Sequence, residues 1–443
     1  MKLIRTKTLV LLLCSISIAH AKWITAWTAS VQGPYPVGNP SAQPNLAAVF
    51  PAPETGARDQ TFRLIVRPDI WGGRARLRLS NALGTRAVTF DGVFAGMQLS
   101  GAAVVAGTNR AVLFGGKSAV TVAPGQSAWS DAVALNFGNP AGLAGRKMAV
   151  SFHAAGESGP MTWHAKALTT SYLTAPGAGA KGNDESEISF PFSTTSWYFL
   201  DAVDMTAPGD TRLIVAFGDS ITDGTASTLN GDDRWPDVLS RHLHAAAGNH
   251  VAIVNAGIGG NRVVGPPEYT PQKPFAGGPS AGQRVERDVL SLSGVTGVIW
   301  LEGINDFNRA NDESVEAVEK AMRDVVARIR ARIPGVRIVG ATVTSAVGGP
   351  TSGRETDTKR KALNEFVRTS PSSSNGLFDG VTDFDQVTLD PKTGELRPEF
   401  VPESTTGGPG DKLHPNRAGY QAMGMAVDLE PLLGKSSKAG QGK

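Results

Sequence analysis

The chain has 443 residues, enough for two or three domains, and 41% apolar against 19% charged residues excludes a disordered or collagen-like polymer. Lys and Arg number 43 and Asp and Glu 40, a formal charge of +3 with no basic run outside the termini, so charge offers no reason to expect a nucleic-acid partner. The 52 glycines and 28 prolines point to many turns.

Lys2, Arg5 and Lys7 precede an apolar run that begins at Leu9 to Leu13, and Ala19-His20-Ala21 follows. This is the layout of a secretory signal peptide cut after Ala21. A lipoprotein signal at Cys14 is the competing reading, but bulky Leu13 stands where a small residue is expected. No later segment supplies the ~20 apolar residues of a membrane span, so stable membrane insertion is not expected. Cleavage would remove three positive charges and the only cysteine, taking +3 to 0 and leaving 422 residues. The mature chain, secreted or periplasmic, would hold no disulfide, no thiol nucleophile and no cysteine-based metal site.

Residues 22–209 read as an all-β sandwich, jelly-roll-like, serving as an accessory domain. Thr61 to Val66 and Ala75 to Leu79 alternate as half-buried strands do, and shorter strand-like runs follow at Ala87 to Phe90, Ala119 to Val122, Ala132 to Leu135 and Met148 to Phe152. Gly177 to Glu187 reads as an exposed loop and Met205 to Asp210 as a linker. From residue 210 to 435 strands alternate with helices: strands at Leu213 to Phe217, Val251 to Asn255, Val295 to Leu301 and Arg337 to Thr344. The expected helices are Trp235 to Ala247, Ala281 to Leu292, Val315 to Ile333, Thr356 to Arg368 and Pro415 to Val427. Such alternation implies α/β architecture with a parallel sheet covered on both faces, and sites at the carboxyl ends of its strands. Residues 436–443 read as a flexible tail.

Four pieces of the second half carry candidate chemistry. Gly218-Asp219-Ser220 ends the first strand, where a serine is exposed at the sheet's active edge, although a serine there also suits a turn or a helix cap. Asn255-Ala256-Gly257-Ile258-Gly259-Gly260-Asn261 follows the second strand, and glycine lets a backbone N–H approach a ligand; a tight strand exit explains it equally. Gly303-Ile304-Asn305-Asp306 follows the third, with an amide able to donate to an oxyanion, or simply to make an Asx-turn. Asp411-Lys412-Leu413-His414 offers a carboxylate three residues before an imidazole, with Pro415 suited to the first position of a helix. Together they supply a nucleophile, a base, an orienting acid and oxyanion donors.

These blocks resemble the four signature blocks of the SGNH (GDSL) hydrolase family over roughly residues 211–430. The resemblance implies a flavodoxin-like three-layer domain that hydrolyses carboxylic esters with no metal and no cofactor. It implies Ser220 as nucleophile, His414 as base and Asp411 as its orienting acid. Ser220 N–H, Gly260 N–H and the Asn305 amide would form the oxyanion hole. Trp235 to Leu239, Arg287 to Leu290, Gly410 to Asn416 and the opening Trp23 to Ser30 look similar to a secreted, xylan-esterase-like subgroup with a β-rich leader. The expectation is therefore a secreted serine esterase acting on short acyl, chiefly acetyl, groups of a carbohydrate. A general short-chain esterase or lipase and a non-catalytic carbohydrate-binding protein are the alternatives. The partner is then a small-molecule or polysaccharide ester; oligomeric state is not legible.

Other patterns are weaker. Gly278-Pro279-Ser280-Ala281-Gly282 matches G-x-S-x-G but follows a Pro-rich loop where that motif needs a strand. His242 and His244 cannot share a helix face, and His153 and His164 lack metal-ligand spacing. Asp383 and Asp385 compete with Asp411 as orienting acid. Trp163 and Trp197 suit core packing better than a sugar platform.

Overall fold

A computed structural model describes residues 21–434 except 309, 351–352 and 373–375. The expected signal peptide, apart from Ala21, and the expected tail lie outside the described residues.

The N-terminal region is built of antiparallel sheets. In the first, strands Lys22–Thr28, Leu200–Ala207, Arg74–Ser80 and Val133–Ala134 lie in that order. In the second, Phe192–Thr194, Ser171–Leu173, Arg58–Val66, Met148–Glu157, Val88–Ser100 and Ala103–Val104 are neighbours. Their aromatic side chains meet between the sheets: Phe62 stacks on Phe152 at 5.3 Å, and Phe90 meets Phe199 edge-on at 5.1 Å. Trp163 and Trp197 are buried here.

Two local expectations are corrected. From Gln60 onward the strand Arg58–Val66 is buried on both faces, and the Gly177 to Glu187 loop lies over it, bonding to Thr61 through Gly179 and Lys181. Arg63 is fully buried beneath that loop and donates to the carbonyls of Ala102 (2.7 Å), Ser186 (3.3 Å) and Asp184. Met205, Thr206 and Ala207 are no linker: they pair with Ile24, Trp23 and Lys22, so only the turn at Pro208 to Asp210 connects the two regions.

The second region has five parallel strands. Their order is Val251–Gly257, Arg212–Gly218, Val295–Leu301, Arg337–Ala341 and Gly380–Thr382. In chain sequence this is 2-1-3-4-5, the flavodoxin-like order, whose switch point lies between the first two strands and their neighbours. Leu213 to Phe217 are buried on both faces. Helices Trp235–Ala247 and Arg417–Ala426 pack together, and Ala281–Val285, Val315–Arg332 and Arg354–Thr369 form a second group, giving the three layers. The expected helix from Ala281 to Leu292 changes after Val285 into a π-turn over Glu286–Leu290. The expected strand from Arg337 to Thr344 ends at Ala341.

The two regions interlock. Thr25 N–H donates to the Ser293 carbonyl at 3.0 Å, and Arg67 pairs with Asp237 at 2.7 Å. Asp69 accepts from the Ile253 N–H at 2.8 Å and from the Ser240 hydroxyl, and pairs with His244 at 3.1 Å. Polar pairs of this kind fix orientation more than they add stability, and they seat the β-rich region against the sheet beside the second strand.

Candidate active site

The strand Arg212–Gly218 delivers Ser220 to the sheet edge. Asp219 caps the short helix Ser220–Asp223 by accepting the Ile221 N–H at 3.0 Å, and Gly224, with φ of 100°, ends it after one turn. Burial pushes the Asp219 carboxyl well above its ordinary range, against the pull of the Ile221 N–H. Ser220 is buried but keeps 7% of its surface.

His414 meets Ser220 from the far end of the chain. Its Nε2 lies 2.8 Å from Ser220 Oγ and its Nδ1 lies 2.6 Å from Asp411 Oδ2. Asp411 Oδ1 accepts the N–H groups of Leu413 and His414, both at 2.9 Å, so a three-residue turn holds acid and imidazole in register. Burial raises the Asp411 carboxyl, but the hydrogen bond and charge of His414 with the two N–H groups outweigh it and hold the group well below the usual carboxylate range. An ionised Asp411 only accepts, so the proton sits on Nδ1 and Nε2 is left to accept from the Ser220 hydroxyl. The helix begins later than expected: Asn416 is its cap, accepting from Ala418 and Gly419, which leaves Pro415 outside.

The loops after the next two strands carry further donors, and the one bearing Gly260 is tied to the helix of Ser220 by the Gly259 N–H bond to Asp223 at 2.9 Å. The N–H groups of Ser220 and Gly260 meet no protein acceptor among the described residues. Gly260 sits at φ of 81°, a conformation that disfavours any side chain. The Asn305 amide gives one hydrogen to the Asn261 carbonyl at 2.9 Å, which sets its plane and leaves the second for an incoming oxygen. Asn308 and Asn311 donate to the Asn305 carbonyl at 3.0 and 2.7 Å. Its neighbour Asp306 accepts from Val263 and Val264, and burial pushes that carboxyl up to about 7 against those two bonds.

Beneath these groups lies Arg284, fully buried and not anticipated as part of the site. It donates to the carbonyls of Gly218 (2.8 Å) and Ala256 (2.7 Å) and to Asn261 Oδ1 (2.6 Å), and pairs with Asp288 and Glu302 at 3.2 Å each. One guanidinium thus ties the ends of the first two strands to the loop carrying Gly260. A signal existed: Ala281, Arg284, Val285, Asp288 and Val289 recur at helical spacing, placing an i,i+4 charge pair on an apolar face.

The remaining candidates have other duties. Ser280 caps the helix Ala281–Val285. Asp383 and Asp385 take Arg368, and Asp385 also takes Arg360 at 2.7 Å. His153 lies between Asp59 and Asp91, and His244 binds Asp69 and the Gly248 carbonyl. His164 contacts Asp223, inside the Ser220 helix, at 3.1 Å. Lys166 is buried nearby; burial lowers its ammonium against the pull of Asp223, Asp411 and Glu403. No group of three or more His, Cys, Asp or Glu suited to a metal occurs among the described residues.

Residues 216–422 match the GDSL-like Lipase/Acylhydrolase family. No curated protein sequence matches the chain. Among solved structures it is similar to the lipase/acylhydrolase from Enterococcus faecalis, at 23% identity over 49% of this chain and 93% of that one, with a TM-score of 0.36. It is also similar to a carbohydrate acetylesterase family member from Sinorhizobium meliloti, at 16% identity over 50% of this chain and 97% of that one, with a TM-score of 0.36. A third is the M. smegmatis aryl esterase, at 16% identity over 49% of this chain and 96% of that one, TM-score 0.36.

Proposed function

Since residues 216–422 are a domain of the GDSL-like lipase/acylhydrolase family and the protein is a hydrolase, we propose that it is an exported serine esterase, cut after Ala21, whose catalytic domain spans residues 210–435. The observation that carries this reading is the unbroken path from Asp411 through His414 to Ser220, at 2.6 and 2.8 Å.

His414 Nε2 takes the Ser220 proton as Oγ attacks the ester carbonyl. The carbonyl oxygen, now negative, is received by the N–H groups of Ser220 and Gly260 and by the Asn305 amide. The bond to the alcohol breaks, and His414 returns the proton to the departing oxygen. Water then attacks the acyl-enzyme, again losing its proton to His414, and the acid leaves as Ser220 recovers its own. Asp411 keeps Nδ1 protonated and stabilises the imidazolium in both halves. Labelling by a fluorophosphonate tests nucleophile, activation and access together: one adduct is expected, on Ser220, and an unlabelled Ser220 in folded protein overturns the reading.

Asn305→Ala is expected to lower kcat about 100- to 1,000-fold, the usual cost of one oxyanion donor, with KM little changed. Steady-state hydrolysis of p-nitrophenyl acetate checks it, and near wild-type turnover removes the role of Asn305.

Short acyl groups on a carbohydrate are the substrate this reading favours. The exposed large apolar side chains among the described residues are Leu99, Leu113, Ile188 and Met425, none of them on the loops carrying Ser220, Gly260, Asn305 or His414. A long acyl chain would need such a surface, whereas sugar hydroxyls suit a polar group such as Ser41, which accepts from the Lys166 side chain that packs over Gly259. On p-nitrophenyl esters, kcat/KM is expected to fall as the chain lengthens from two to twelve carbons, with acetate released from acetylxylan. A rise with chain length favours the lipase alternative instead.

A further inference from the structure

The family resemblance places the oxyanion donors in the α/β domain, yet the peptide that presents one of them is gripped from the other region of the chain. The Gly259 carbonyl and the Gly260 N–H belong to one trans peptide plane, so the direction of the oxygen dictates the opposite direction of the hydrogen. Flanked by two glycines, that plane meets little steric resistance to rotation, and Gly260 already stands at φ of 81°. Something outside the loop has to hold it.

Two contacts do so. Asn39, on an exposed loop of the β-rich region, donates Nδ2–H to the Gly259 carbonyl at 2.9 Å. Its second carbonyl neighbour, Ala276 at 3.4 Å, also requires the nitrogen side of the amide to face inward. The Gly259 N–H, part of the preceding Ile258–Gly259 peptide, donates to Asp223 Oδ2 at 2.9 Å. Asp223 Oδ1 is in turn held by His164 Nε2 at 3.1 Å, and His164 Nδ1 donates to the Ser30 carbonyl at 2.8 Å. His164 is 3% exposed and Asp223 1%, so this chain of bonds runs through the interior between the two regions. The Lys166 stem closes the space over Gly259, where an added Cβ would come within 3.3 Å of Cε.

We propose that the N-terminal β-rich region completes the oxyanion hole, with Asn39 clamping the Gly259–Gly260 peptide and the His164–Asp223 pair anchoring the peptide before it, so that the Gly260 N–H faces the reacting carbonyl. Asn39 and His164 are positioning residues that act through Gly260, and the inference rests on the esterase reading of Ser220. The β-rich region is on this account a working part of the site.

The test uses the full chain with Asn39→Ala and Asn39→Asp, since an exposed loop position leaves the fold intact. Asn39→Ala is expected to lower kcat for p-nitrophenyl acetate about tenfold, the worth of one hydrogen bond, with KM within about twofold. Asn39→Asp, which sets a carboxylate oxygen against the Gly259 carbonyl, is expected to lose more than Asn39→Ala. Phenylboronic acid, whose tetrahedral adduct with serine places an oxygen in the hole, is expected to bind Asn39→Ala more weakly by the same factor. Wild-type kcat and boronate affinity in both variants, with Ser220→Ala inactive, overturns the clamp and leaves the esterase reading standing. A raised KM at unchanged kcat overturns it too, because Asn39 would then touch substrate rather than the peptide. Activity in Ser220→Ala instead brings down the esterase reading itself.

Discussion

Ser220→Ala is expected to lower kcat for p-nitrophenyl acetate about a million-fold while leaving the thermal midpoint nearly unchanged. The size follows from how the three groups work as one unit. Without Oγ there is no covalent intermediate, and His414 and Asp411 then have no serine proton to move. What remains is whatever rate the oxyanion donors and binding alone supply, about 10³–10⁴ above water in enzymes of this design. Stability should hold because, among the described residues, the hydroxyl's one side-chain bond is to His414, at 2.8 Å. His414→Ala is expected to fall nearly as far, since each member is useless without the other. Combining the two changes should add little, and a double variant much slower than either single one would show that they do not act together. A Ser220→Ala enzyme retaining more than about a hundredth of wild-type turnover would end the nucleophile assignment.

Arg284→Ala is expected to destabilise the protein by about 3–5 kcal/mol, measured by chemical denaturation. Arg284 is fully buried, and its removal leaves Asp288 and Glu302 buried without their shared cation. Asp288 still has Arg287 at 2.6 Å, while Glu302 is left, among the described residues, with the Trp300 indole N–H at 2.8 Å. Burial already pushes the Glu302 carboxyl up against the pull of Arg284, so without that cation Glu302 would be driven to take up a proton. The Gly218 carbonyl, left with the Ile258 N–H, the Ala256 carbonyl at the end of the second strand and Asn261 Oδ1 on the loop of Gly260 also lose the guanidinium. Arg284→Lys should recover little. A single ammonium cannot reach five acceptors spread around a planar fork. A variant as stable as the wild type would show that the buried cluster does not hold the strand ends.

Much of this site could be read before folding because its parts are local. Parallel strands end in loops at one edge of their sheet, so the groups after Phe217, Val254 and Leu301 had to meet there. Asp411 and His414 are three residues apart, and a turn with its own backbone bonds is enough to join them. Ser220, Asn305 and the acid–imidazole pair were therefore visible as residue types in the right places. The short strand Gly380–Thr382, at three residues, carries too little alternation to declare itself. The burial of Arg63 is illegible for a different reason. Strand periodicity says which side chains share a face, but not that a loop more than a hundred residues later will cover that face.

The chain's own order of residues determined the reacting groups and the parallel architecture that collects them, since both follow from strand periodicity and from short-range backbone geometry. Only the tertiary structure decided what holds them still. Arg284 became a hub because strands distant in sequence brought their carbonyls to one buried point. Asn39 and His164 reached Gly259 and Asp223 across separations of 220 and 59 residues, because two regions with polar seams docked in a single orientation. Contacts of that range depend on packing between whole domains, and no local pattern of side chains encodes them.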